Sequence, residues 1–334
     1  MEQKLYYSCI TGFGIYERLN GEGNFPGIGQ CCQMRHIETG VEYYALLEPC
    51  SDAAKKRLCN LIEARIPDSK YIWPCDLAEN TDGERFLLFS PDVYPQYITL
   101  LDIANGKRGY EDPAVIKTLF WLLDRLEMLW TGGYVTANFD LSDFYYDPAR
   151  EDGYISFSVL TAKRIGRVPI KKGYSVSPMS RIAKSRGLVD PYGFSEDHER
   201  YTWNDDSFLI ATAALVFYLM IGRMPYDGAL QDDDRYDMEL NPGRFWGHSY
   251  PYRPFFIMDE QDGRQNRVGE YPEELVQIDR YNRLSKQLKE MFCESLCNQS
   301  VMREKEVRFY TPKEWKQAIL SWYEINQTYG GGYQ

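Results

Sequence analysis

The fourteen residues from Phe208 to Ile221 read FLIATAALVFYLMI, and a helix of that composition has no polar face to turn toward water. Such a helix has to be enclosed on every side, so it marks the centre of a domain. At fourteen residues it falls short of the roughly 20 needed to cross a bilayer, which favours a buried core helix over a membrane span. The chain has the material to enclose it: 334 residues, 44% of them hydrophobic and 15% aromatic. Its N-terminal MEQKLYYSCITGFG has neither the basic nor the apolar region of a secretory leader, so a soluble, cytoplasmic protein is expected, with no membrane partner.

The net charge of -11 opposes a phosphate backbone, so no nucleic-acid partner is expected. Eight cysteines are scattered without a paired CxxC spacing. Cys293 and Cys297 stand one helical turn apart in an amphipathic stretch and read as core thiols rather than metal ligands, so no metal site is expected. His36, His198 and His248 lie far apart with no ligand spacing.

From Lys4 to Pro49 the pattern is strand-like: YYSCITGFGIYERL, a Gly-rich stretch from Asn20 to Gly29, QCCQMRHI, a turn at ETG, and VEYYALLEP. This reads as three antiparallel strands. Ser51 is placed to cap a helix through AAKKRLCNLIEARI, whose Leu58, Leu61, Ile62 and Ile66 recur at helical spacing. YIWPCDLAE and ERFLLFSP add two strands around the turn TDG, giving a small unit over residues 1–91 with five strands and one helix. Residues 92–334 turn helical. Pro113 starts AVIKTLFWLLDRLEMLW, which ends at Gly132 and Gly133. Short strands at YVTANF, DFYYD and GYISFSV precede an irregular stretch over residues 160–201, then the apolar helix from Asp205, then amphipathic helices in IDRYNRLSKQLKEMFCESL and PKEWKQAILSWYEI.

That order of elements resembles the protein kinase fold. TGFG at Thr11 to Gly14 looks like the end of a glycine-rich loop, EYYALLEP like the strand that carries a phosphate-anchoring lysine, and YVTANFDLSDFYYD like a catalytic loop with its hairpin. The most specific match is DDSFLIATAALVFYLMIGRMPYDG, similar to the central helix of the large lobe. PFFIMDEQDGRQNR and the pair Glu314 and Trp315 resemble a bacterial kinase-like group found alongside von Willebrand-type and phosphatase partners. The resemblance implies an α+β, bilobal protein-kinase-like fold: a small five-stranded antiparallel lobe with one helix, and a larger, mainly helical lobe.

The same resemblance implies that the chemistry has been dismantled. Phosphoryl transfer needs a lysine on the nucleotide phosphates, an aspartate at the acceptor hydroxyl, and an asparagine and an aspartate on magnesium. Here the lysine position is Leu47, Asp140 matches the catalytic aspartate as a vestige, Tyr145 stands for the asparagine, and Ser156 (or Ser158) for the second aspartate. Of the glycine loop, Gly12 and Gly14 remain, while Cys9 and Thr11 replace the others; Glu63 is hard to place as the lysine's partner. Gly12, Gly14, Leu47, Tyr145 and Ser156 would thus line a degenerate nucleotide cleft, with no cofactor expected beyond weak, metal-independent ATP binding. Asp206 resembles an aspartate that anchors the fold through backbone amides.

The segment from Lys163 to Arg186 holds Lys163, Arg164, Arg167, Lys171, Lys172, Arg181, Lys184 and Arg186 without one acid, where a kinase carries its activation segment. A protein partner with an acidic or phosphorylated surface is the expected ligand, a solvated loop the simpler reading. The function expected is that of a catalytically impaired bacterial pseudokinase that regulates or scaffolds. The competing expectations are an active transferase in which Arg35, Lys55 or Lys56 reaches the phosphates and Asp143 or Asp147 holds a metal, and an ATP-binding switch without turnover.

Overall fold

The computed structural model describes residues 4–25, 29–48, 52–64, 70–90, 98–99, 109–136, 144–147, 149–156, 161–163, 168–170, 194–195, 198–199, 201–203, 205–225, 229–230, 256–258, 266–267, 272–296 and 308–329. The chain divides into two compact units. The first comprises Met1–Leu100, Leu141–Asp147 and Asp152–Ala162; the second comprises Leu101–Asp140, Pro148–Glu151 and Lys163–Gln334.

The first unit is built on strands β1 (Leu5–Ser8), β2 (Ile15–Phe25), β3 (Gly29–His36), β4 (Glu42–Leu47), β5 (Tyr71–Ile72), β6 (Pro74–Glu79), β7 (Arg85–Phe89) and β8 (Ile98–Thr99), with helix α1 (Asp52–Ala64) between β4 and β5. Six of these close into an antiparallel barrel in the order β1-β2-β3-β4-β7-β6. This corrects the expectation of a bilobal kinase-like fold, whose small lobe carries an open sheet of five strands. The sixth strand comes from YYSCITGFGIYERL, which folds as two strands rather than one. β1 pairs with β2 (Tyr6 opposite Tyr16) and with β6 (Ser8 opposite Ala78), so it joins the two edges that an open sheet would leave. Most of the Gly-rich stretch is strand as well: β2 runs on to Phe25 through an irregularity between Arg18 and Glu22.

Closure gives the strands two environments, and side chains alternate between them. Tyr6, Tyr16, Cys32, Met34, Ala45, Ala78, Phe86 and Leu88 fill the lumen. On the outside, Leu58 and Ile62 of α1 pack with Tyr44, Leu77, Leu87 and Phe89. Leu87 and Leu88 therefore face opposite cores from adjacent positions. Each such buried aliphatic or aromatic side chain contributes on the order of 1.5–3 kcal/mol relative to exposure. A four-stranded sheet of order β5-β11-β10-β8 completes this unit, where β10 is Phe144–Asp147 and β11 is Asp152–Ser156.

The second unit is mainly helical. Its helix α2 (Pro113–Thr131) begins with Asp112 as N-cap, whose side chain accepts from the Ala114 amide at 2.9 Å, and with proline in the first turn. It ends at Gly132 and Gly133, the latter at φ 81°, and leads into β9 (Tyr134–Thr136). Helix α3 (Asp205–Ile221) is the apolar element, and eleven of its residues from Phe208 on are fully buried: Phe208, Ile210, Ala211, Thr212, Ala213, Ala214, Leu215, Val216, Phe217, Met220 and Ile221. Phe208 stacks on Trp130 of α2, and Phe217 meets Phe256 and Phe292 edge-on, each at 5.2 Å.

Three further helices, α4 (Pro272–Asn282), α5 (Lys286–Leu296) and α6 (Pro312–Tyr329), pack in this unit. α6 opens with a capping box: the Glu314 amide donates to Thr311 Oγ1 at 3.2 Å while Glu314 Oε2 accepts from the Thr311 amide at 2.8 Å. Strand β12 is Thr161–Lys163. Short antiparallel pairs join β13 (Val168–Ile170) to β16 (Tyr201–Trp203), β14 (Phe194–Ser195) to β15 (His198–Glu199), and β17 (Ala229–Leu230) to β18 (Asn266–Arg267). Among the described residues no helix is long and apolar enough to cross a membrane.

Candidate functional site

The turn that joins β1 to β2 holds Gly12 and Gly14. Gly12 sits at φ +73°, a conformation that side chains with a Cβ rarely adopt. Gly14 is crowded instead: a Cβ there would lie 3.2 Å from Ser8 Cβ and from the Tyr16 ring and hydroxyl. The Ser8 amide donates to the Gly14 carbonyl at 2.8 Å, and Cys9 N to the Leu77 carbonyl at 2.7 Å. Ser8 Oγ accepts from the amides of Ile10 (3.2 Å) and Thr11 (2.9 Å), and Thr11 Oγ1 from those of Phe13 and Gly14, both at 3.3 Å. These amides are spent on closing the hairpin, and a phosphate arriving there would have to displace the turn's own hydroxyls.

Beneath the turn, inside the lumen, lies Asp76. Its position is in phase with Ala78, on the inward face of β6, and the residue is 6% exposed. Tyr16 donates to Asp76 Oδ2 at 2.8 Å, Ser8 to Oδ1 at 3.0 Å, and the Leu77 amide to Oδ1 at 2.7 Å. Burial, then the hydrogen bond to Asp76, raises the Tyr16 hydroxyl far above the ordinary tyrosine range.

On the outer side of the barrel, two of the three cations suggested as substitutes for a phosphate-anchoring lysine, Lys55 and Arg35, are engaged by carboxylates, while Lys56 of α1 is exposed. Lys55 of α1 donates to Glu79 Oε2, and Arg85 Nε to Glu79 Oε1 at 2.7 Å; Arg85 also reaches Asp52 at 2.6 Å. Burial would raise the Glu79 carboxyl, but its bonds to Lys55 and Arg85 outweigh that and hold it below the ordinary value. The hydrogen bond to Glu79 raises Lys55. Cys9 Sγ lies 3.9 Å from Glu79, and burial pushes its thiol up to about 11, so it is a poor nucleophile. Arg35 is held by Glu17 at 2.6 Å.

Leu47 ends β4 opposite Phe86 and is 53% exposed. Tyr145 is buried in β10, paired with Tyr154 on one side and Thr99 on the other; Ser156 ends β11 opposite Ile72 and is half-buried. Glu63 is exposed on α1. Asp140 lies outside the described residues, as do Arg164, Arg167, Lys171, Lys172, Arg181, Lys184 and Arg186. Lys163 ends β12 and Asp206 is in the first turn of α3, but their side chains also fall outside the description. Among the described residues no group of three or more His, Cys, Asp or Glu is arranged to hold a metal ion.

Two clusters went unread in the sequence: Ser8, Tyr16 and Asp76 inside the barrel, and Lys55, Glu79 and Arg85 outside it. The available signal was in PCDLAE, where an aspartate stands two positions before Ala78, in phase with the inward face of the strand. No family model matches the chain, and no curated protein resembles it in sequence.

Proposed function

We propose that the chain is a catalytically impaired regulatory or scaffolding protein that acts by binding a protein partner. The observation that carries this reading is the pairing of two of the three candidate cations: Lys55 is held by Glu79 and Arg35 by Glu17, while position 47 is leucine. A cation already paired to a carboxylate offers little to a nucleotide phosphate, and phosphoryl transfer depends on such positioning and charge. The eight cations from Lys163 to Arg186 are the contact surface in this reading, with an acidic or phosphorylated face on the partner. The cytoplasm is the proposed compartment, in keeping with thiols of which, among the described residues, none is in a disulfide.

Incubation with radiolabelled ATP and magnesium or manganese should give no transfer to the chain or to generic substrates. Transfer that Asp140→Ala abolishes would overturn the reading. A melting temperature raised by ATP without turnover would instead favour a nucleotide-binding switch. Reversing Lys171, Lys172 and Arg181 to glutamate should abolish capture of partners isolated with the parent chain, at unchanged melting temperature; unchanged capture would remove that segment from the interface.

A further inference from the structure

The outer core of the first unit gathers two thiols from distant parts of the chain. On α1, Lys55, Leu58, Cys59 and Ile62 share one face, the last three standing three, four and seven positions beyond the first. Leu58 and Ile62 fill the cluster against Leu77, and Cys59 packs at its margin. Cys9, just past the end of β1, packs at the margin of the same cluster. Its amide donates to the Leu77 carbonyl at 2.7 Å, which fixes the backbone from which the sulfur projects.

Glu79 ties the two elements together at this spot. Its Oε2 lies 3.9 Å from Cys9 Sγ and accepts Lys55 Nζ, and Cys59 follows Lys55 by one helical turn. The electrostatics agree with that placement. Burial raises the Cys9 thiol most, Lys55 lowers it, Glu79 raises it, and a thiolate at Cys59 raises it further. Both cysteines are half-buried, within reach of a small reagent, whereas Cys31 of the same cluster is 4% exposed and enclosed.

We propose that Cys9 and Cys59 are a modification site, a thiol pair that a low-molecular-weight disulfide oxidises to a covalent bond between the β1–β2 turn and α1. The Cys59 thiolate attacks the reagent; one sulfur of the reagent leaves as a thiol and the other stays on Cys59 as a mixed disulfide. Cys9 then gives up its proton and attacks Cys59 Sγ, and the second half of the reagent leaves as a thiol. Two protein thiols are oxidised, one disulfide is reduced, and both protons end on the released thiols. Burial makes Cys9 slow to open the exchange, but in the second step its target is held beside it. The bond would constrain the unfolded chain between positions 9 and 59 and so stabilise the unit. It acts independently of the basic segment and of any nucleotide.

Tryptic cleavage leaves each cysteine alone on its peptide, residues 5–18 for Cys9 and residues 58–65 for Cys59. The reduced full chain, incubated in native buffer with oxidised glutathione and mapped by mass spectrometry without reduction, should yield these peptides joined, about 2 Da lighter than their sum. This link should dominate all others, dithiothreitol should remove it, and the linked chain should melt at a higher temperature than the reduced one. In Cys9→Ser, Cys59 should retain glutathione, because the second attack is lost; the map of the parent chain decides even where this variant folds poorly. Glutathione on both cysteines without a link, a link from either to Cys31 or Cys75, or a link that forms only in urea would overturn the proposal.

Discussion

Tyr16 and Asp76, sixty positions apart in sequence, share a 2.8 Å hydrogen bond inside the barrel lumen. Ser8 shares the same carboxyl group at 3.0 Å, so three strands, β1, β2 and β6, meet on one buried acceptor. Removing it leaves two hydroxyls and an amide without their acceptor. Asp76→Ala should therefore cost roughly 3 kcal/mol or more in denaturant unfolding, and Tyr16→Phe about 1–2 kcal/mol. The double variant should lose less than the sum of the two. Full additivity would mean that the pair does not act as a unit.

The two turn glycines should respond differently to alanine. Gly12 has open space around it and a φ of +73°, so Gly12→Ala costs only the backbone strain, about 1 kcal/mol. Gly14→Ala presses on Ser8 and Tyr16, both fixed by Asp76, and should cost more, roughly 2–3 kcal/mol. Equal melting temperatures for the two variants would contradict the crowding at Gly14.

Arg280 ties the end of the apolar helix to its surroundings. It donates to the Ile221 carbonyl at 2.9 Å and to Glu111 at 2.8 Å, and its guanidinium lies where a Cβ on Gly109 would come within 2.6 Å. Arg280→Ala should destabilise by roughly 3 kcal/mol, with little rescue by lysine, which lacks the fork. Calorimetry of both variants decides it.

The pH dependence follows from carboxylates held below their ordinary value of 4.5. Glu79 and Glu314 have lower values folded than unfolded, so their contribution is fully present above the unfolded value and is lost as pH falls through the folded one. For Glu314, burial works upward, and the Thr311 amide and hydroxyl with Arg308 outweigh it. Unfolding midpoints should drop on acidification below about pH 4.5, and Glu314→Gln should flatten that acid limb. A limb unchanged by this variant would assign it to other groups.

Local features of the chain were readable because their causes are local. Pro113 announces α2, PKEWKQAILSWYEI carries the spacing of α6, and the unbroken apolar run is α3. Barrel closure was hidden because it depends on Ser8 meeting Ala78, a pairing that no nearby residue specifies. TGFG carried a turn signal, yet glycine spacing alone does not separate a hairpin from a phosphate loop; the hydroxyls of Ser8 and Thr11, which occupy the amides, make the difference. Likewise Lys55 of α1 shows its charge in the sequence but not its partner, since Glu79 arrives from β6.

β1 is the stave that completes the barrel, and of the six barrel strands it is synthesised first. It can dock on β2 almost at once, but its other neighbour, β6, is synthesised some seventy residues later. Through that interval the nascent sheet has two raw edges, each able to recruit a strand from another chain. Loss of β1 would hold those edges open permanently. The resulting fault would be clumping during synthesis rather than a weakened but soluble product.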